Sequence, residues 1–272
     1  MKKLLNTPLF VVLFITGTFV FSSCDSTDNP PVPDLSVVNE DAEVNMAFED
    51  IDNITLTGLS ARTNVDFPQG TLCDGAMVNI DEENKKITID FGDGCIAANG
   101  ETRKGIIYLT YTANLLFPGA KVITTFEDYE VAGKMVEGTR TITNKSVDLE
   151  NNTINLEVSI QNGKVTWSDD TFVTVSSDQL RDIKLGTQGQ YEVSITGTST
   201  GTSRGGFDYT STVSEPLIFT KTCLESGVNA PLSGIVDFQF RGIEASIDYG
   251  DGACDKLATI FYPNGSLPVT LD

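Results

Sequence analysis

The chain has 272 residues, with 38 acidic and 18 basic side chains, a formal charge of −20 and no histidine. So acidic a surface excludes nucleic-acid binding, which draws its affinity from basic groups that displace counterions. The missing imidazole removes the usual general base, the Ser/His and Cys/His nucleophile pairs and the commonest zinc ligand, so the expectation is no enzyme, no catalytic residue, no metal ligand and no cofactor.

The first element is a targeting segment. Lys2 and Lys3 precede an apolar run from Pro8 to Phe21, broken only by Thr16, Gly17 and Thr18, and the run ends in Ser22-Ser23-Cys24. The run is too short to span a bilayer comfortably, and its three-part build predicts a secretory signal over 1–23. Small residues leading directly into Cys24 resemble the lipobox of bacterial lipoproteins. That resemblance implies a Cys24 thiol that is diacylated with palmitate-type chains and becomes the new N-terminus. Losing residues 1–23 removes only Lys2 and Lys3 among the charges, leaving 16 basic against 38 acidic groups, or −22. Such a chain would not adsorb to anionic headgroups, so membrane attachment would come from the N-terminal lipid. Residues 24–38, with Pro30, Pro31, Pro33, Asp25, Asp28 and Asp34, read as a solvated tether. Asp25-Ser26-Thr27 also resembles a short O-glycosylation signal of exported proteins, against the plainer reading of a polar linker.

A β domain is expected over 39–272, opening with one short helix. Val44, Ala47, Phe48, Ile51 and Ile54 recur at helical spacing, and Glu40, Asp41 and Glu43 stand in the first turn where the dipole favours anions. This predicts a helix over roughly residues 40–52, its apolar stripe packed into the core. From about Thr55 onward the chain reads as strand. Ile107, Leu109, Tyr111, Ala113 and Leu115 alternate with polar residues, as do Ile154, Leu156, Val158 and Ile160, then Tyr191, Val193 and Ile195, then Val236, Phe238 and Phe240. Turn signals separate them at Asn84-Lys85, Asp93-Gly94, Pro118-Gly119, Ala132-Gly133, Asn162-Gly163, Gly205-Gly206, Asp251-Gly252 and Asn264-Gly265. One apolar and one polar face per strand, with no helical crossovers, predicts an all-β antiparallel meander forming a β-sandwich or a rolled sheet. The domain could carry two pseudo-repeated halves, about 55–150 and 151–272.

The halves are suggested by a repeated block. Ile87-Thr88-Ile89-Asp90-Phe91-Gly92-Asp93-Gly94-Cys95 has a near copy in Ala245-Ser246-Ile247-Asp248-Tyr249-Gly250-Asp251-Gly252-Ala253-Cys254. Each reads as a strand running into a glycine turn and a cysteine, with a second cysteine upstream at Cys73 or Cys223. Lipidation of Cys24 leaves four cysteines, which allow three connectivities. Equivalent placement in both copies favours Cys73–Cys95 and Cys223–Cys254, each stapling a hairpin to the strand before it. Zinc is the alternative, unsupported by any C-x-x-C or histidine spacing. Asp90, Asp93, Asp248 and Asp251 could be Ca²⁺ ligands, but a spacing of three suits turn-forming aspartates better. Trp167 is expected on the buried face in phase with Val165, whereas Tyr108 and Phe172 could point outward as a small glycan platform.

With Gly100-Glu101-Thr102-Arg103-Lys104-Gly105, Val136-Glu137-Gly138-Thr139-Arg140-Thr141-Ile142-Thr143-Asn144 and the lipobox, these blocks resemble a family of uncharacterised secreted lipoproteins from Bacteroidota. The resemblance covers most of residues 70–262 and implies topology and location, with no activity and no functional residue carried over. The resulting expectation is an outer membrane lipoprotein on the periplasmic face or cell surface. Its role would be structural, adhesive or in envelope assembly, with an envelope protein or glycan as partner. The alternative is a glycan- or Ca²⁺-binding surface lipoprotein of a nutrient-uptake system.

Overall fold

The computed structural model describes residues 32–60, 72–97, 100–228 and 230–271. Cys24, the signal over 1–23 and the tether up to residue 31 lie outside the described residues, so the anchor readings rest on sequence.

Helix α1 runs Ser36–Ser60, 25 residues, well beyond the expected 40–52 at both ends. At its start the Asp34 carboxylate accepts the Ser36 backbone N–H at 3.1 Å, satisfying one orphan donor of the first turn. That bond also holds the Asp34 carboxyl below its ordinary range. Leu35, Val37 and Val38 are buried, so part of the stretch read as tether belongs to the core. At the far end Ile54 and Thr55 are fully buried, and Gly58 lies against Ile89 and Leu109. The β-branched run there reads locally as strand, but tertiary packing of the helical face overrides that preference.

Thirteen strands follow in one unbroken antiparallel path. They are β1 (Met77–Asp81), β2 (Lys86–Asp90), β4 (Thr102–Tyr111), β5 (Lys121–Val131), β6 (Lys134–Asp148), β7 (Thr153–Thr166), β8 (Phe172–Leu185), β9 (Tyr191–Thr202), β10 (Asp208–Thr220), β11 (Ser233–Phe240), β12 (Ile243–Asp251), β13 (Leu257–Tyr262) and β14 (Gly265–Thr270). The two-residue β3 (Cys95–Ile96) hangs on β4, and a short helix α2 (Lys221–Glu225) follows β10. Of the two expected all-β forms the chain adopts the rolled one: a single, unclosed sheet whose concave face covers α1. Val44, Phe48 and Ile51 of the helix share one core with Ile89 of β2, Leu109 of β4, Val236 of β11 and Ile260 of β13.

Bulges produce the curl. Register shifts occur in the β4–β5, β5–β6, β6–β7, β7–β8, β9–β10, β10–β11 and β11–β12 pairs, and each one bends and twists its strand. At the β4–β5 bulge Gly105 has φ +79°, and a Cβ there would stand 2.1 Å from the Asp128 carbonyl oxygen. Gly105→Ala should therefore cost about 2 kcal/mol or more, the left-handed strain of roughly 1–2 kcal/mol plus the clash, measured as a lowered urea midpoint. Asn162-Gly163, expected as a turn, is another such bulge inside β7. Asn162 does take a positive φ of 52°, but it bends the strand instead of reversing it.

The repeated blocks occupy β2 and β12. Because the meander alternates direction, β2 runs toward one end of the sheet and β12 toward the other. In both copies it is the first aspartate that organises the turn: Asp90 accepts the Gly92 N–H and Asp248 the Gly250 N–H, each at 2.8 Å. Cys73 and Cys95 lie at disulfide distance with Cα atoms 5.8 Å apart, and Cys223 and Cys254 with Cα atoms 5.4 Å apart. The upstream partners are not on strands: Cys73 is in the loop before β1 and Cys223 in α2. Each link thus ties a turn to a flanking loop or helix at one end of the roll.

Candidate functional site

Alternate strands β4, β6 and β8 each place one arginine on the concave, otherwise apolar face. Arg103, Arg140 and Arg181 are buried there, and each meets a carboxylate from the middle of α1. Arg103 donates to Asp50 through Nε at 3.1 Å and Nη2 at 2.6 Å. Arg140 donates to both oxygens of Asp52, at 2.5 and 2.6 Å. Arg181 donates to Glu49 at 2.9 and 2.5 Å, and its Nη1 also reaches Asp52 at 2.9 Å. Three guanidinium groups face three carboxylates, in the planar two-point geometry that arginine favours. Trp167, only half-buried just past the end of β7, donates weakly to Glu43 at 3.3 Å near the start of the helix.

Beyond these ion pairs, toward the C-terminal end of α1, the concave face is left uncovered by any other described element. Ile142 of β6 with Ile154, Leu156 and Val158 of β7 form an apolar cluster separate from the main core. Together with Ile183 of β8, Val193 and Ile195 of β9 and Phe219 of β10 they line a cavity of about 550 Å³. Its floor is the Glu49, Asp50, Asp52 and Arg181 group, and its open end is bounded by Asn114, Leu115 and Leu116, by Leu185 and Tyr191, and by Leu224 of α2. Small-molecule clefts span roughly 300–1,000 Å³ and are mostly apolar with a few fixed polar groups. This cavity has that size and that chemistry.

The residues singled out from sequence lie elsewhere. Asp93 in its turn and Asp251 at the end of β12 are exposed at opposite ends of the roll. Tyr108 bonds Glu127 at 2.5 Å under the ammonium of Lys86, while Phe172 lies under Lys164. These aromatics sit on different strands and share no groove. Among the described residues, no three His, Cys, Asp or Glu side chains cluster in a way that could hold a metal ion. What sequence reasoning passed over was the trio of arginines. Its signal was present: Arg140 is in phase with Ile142, and Arg181 with Ile183, on strands whose other inward positions are apolar, small or, at Asn144 and Gln179, uncharged. A cation at an inward position requires a buried anion, and the central stretch of α1 supplies Glu49, Asp50 and Asp52.

No family model matches the chain, and neither a curated protein nor a solved structure matches it.

Proposed function

We propose that this chain is a non-enzymatic, lipid-anchored protein of the outer membrane that holds an apolar small molecule inside its rolled sheet. The anchor part of the reading is supported by the signal-like segment and the small residues leading into Cys24. The binding part is carried by one observation: inward positions of β6 to β9, patterned like core residues, line a cavity of about 550 Å³ that no described element fills. Uncovered apolar surface loses about 25 cal/mol per Å² of the stabilisation that burial would bring, so a site built this way gains when an apolar guest fills it. Structural, adhesive or assembly roles in the envelope are compatible with such a carrier.

The test is titration of the full-length chain with the neutral fluorophore N-phenyl-1-naphthylamine. Enhanced, saturable emission is expected. Val158→Trp, which places an indole into the cavity, should weaken binding by about tenfold or more while leaving the circular dichroism unchanged. Absence of saturable binding by the wild-type chain would overturn the proposal.

A further inference from the structure

The open end of the cavity carries an unusual surface. Leu116 and Phe117 in the β4–β5 loop are 61% and 64% exposed, Leu149 in the β6–β7 turn is 83% exposed, and Leu185 at the end of β8 is 45% exposed. In an antiparallel meander every second connection lies at the same end, so these three connections form one rim. Leu116 and Leu185 also line the cavity, so the exposed apolar rim is continuous with the apolar interior. Resting on the reading of this cavity as a ligand site, we propose that the rim is a lipid-contacting mouth. Through it a single-chain amphiphile passes from a zwitterionic bilayer into the roll.

A bilayer suits this rim better than a protein partner. Protein interfaces require a contiguous patch of about 800 Å² on each side. Here the apolar groups are side chains at separate loop tips, each able to sink on its own into the boundary between headgroups and acyl chains. Local charge agrees. The chain as a whole carries −20, but Lys121, Lys145 and Lys184 are exposed next to these connections, offset by Asp148 at the end of β6, Glu150 in the β6–β7 turn, Glu157 paired with Lys145 and Glu192 opposite Lys184. A rim close to charge balance fits headgroups that bear both signs and is not held off the surface as the rest of the chain would be by an anionic one.

Volume selects one chain. At roughly 30 Å³ per heavy atom, close to the share of one molecule in liquid water, the cavity accommodates about eighteen atoms. That is a single acyl chain of ordinary length, with no room for a second. The floor is closed by Glu49, Asp52 and Arg181, whose charges are paired with one another and offer an acyl chain nothing, so the methyl end stops there. The polar head is left at the mouth beside Asn114 and the half-buried Tyr191.

The experiment uses the full-length chain with Cys24→Ser, so that no anchor of its own contributes to membrane binding. Phosphatidylcholine vesicles carrying anthroyloxy-palmitate are mixed with the protein, and co-flotation and the rate of probe transfer are read. The wild-type rim should bind the vesicles and extract the probe. The pair Leu116→Glu with Phe117→Glu, and separately Leu149→Glu, should lower co-flotation and transfer rate by about tenfold or more, because each removes an exposed apolar group that the bilayer would bury and inserts a charge. Affinity for the probe offered in water should stay as in the wild type, and Phe172→Glu, at the opposite end, should change neither readout. Rim variants that transfer at the wild-type rate, or a Phe172→Glu chain equally impaired, would overturn the mouth. A two-chain phosphatidylcholine that displaces the probe as well as palmitate does would overturn the single-chain selection. A wild-type chain that binds no probe even in water would instead remove the cavity reading on which the mouth rests.

Discussion

Asp52→Leu should cost about 3–5 kcal/mol of folding stability, because it leaves a guanidinium buried without its partner. Arg140 is 1% exposed, and with Asp52 gone its nearest remaining carboxylate is Glu49 at 3.8 Å, a group already engaged by Arg181. The same substitution also removes one of the acceptors of Arg181. Adding Arg140→Met to Asp52→Leu should recover most of the loss, since a buried ion pair replaced by apolar groups of similar volume is often neutral or better. Urea unfolding of the two single variants and the double variant forms a cycle that isolates the pair. If the single substitution costs under about 1 kcal/mol, or if the double variant loses the sum of both singles, the pair is not buried and coupled as described.

The three pairs also explain how the sheet must curve. Strands lie about 4.8 Å apart, so β4 and β8 would be separated by roughly 19 Å in a flat sheet. Their arginines nevertheless meet Asp50 and Glu49, adjacent residues of a helix that rises only about 1.5 Å per residue. Only a sheet wrapped around the helix can bring both guanidinium groups to that one stretch of α1. The ion pairs therefore specify the rotation and depth at which α1 seats, a distinction that apolar packing alone makes weakly.

Much of this was legible in the residues, and the exceptions have physical causes. Alternation along Ile154 to Ile160 identified the strand and its inward face, because a period of two is local information. The same alternation could not reveal that Ile154, Leu156 and Val158 line a cavity, because packing partners are set by how far the sheet curls. The curl in turn depends on bulges, and Asn162-Gly163 shows how a bulge imitates a turn: both need a positive φ at that position. Helix α1 was underestimated for a related reason. Ile54-Thr55 carries a local preference against helix, and burial beside β2 and β4 overrules it; at the other end the buried Leu35, Val37 and Val38 follow a proline-rich stretch that reads as tether. The arginine trio was readable as a conflict between charge and phase, but only when strand and helix are considered together.

Between about pH 4 and pH 6 the protein should lose stability as pH rises, and Asp41 should be the main cause. Asp41 is 3% exposed on the inner side of α1, where its carboxylate accepts from Tyr209 Oη and Asn45 Nδ2, each at 2.9 Å. Burial outweighs those two bonds and pushes its pKa up from 3.8 to about 6. The sign follows from proton counting. In this window the folded chain keeps a proton on Asp41 that the unfolded chain has released, so stability falls as pH rises. The contribution is fully present below the unfolded value near 4 and is lost above the folded value near 6. The total is about 3 kcal/mol at roughly 1.4 kcal/mol per pH unit. Exposed carboxylates held low by turn bonds, such as Asp148 beside Asn151, act in the opposite direction and only at lower pH. Urea midpoints at pH 5 and pH 7.5 read the effect directly: the wild type should be the more stable at pH 5, and Asp41→Asn, which carries no titrating proton, should show a much smaller difference. A wild-type midpoint that rises from pH 5 to pH 7.5, or an Asp41→Asn chain with the full wild-type dependence, would show that Asp41 is solvated in solution and that the inner side of α1 is open to water.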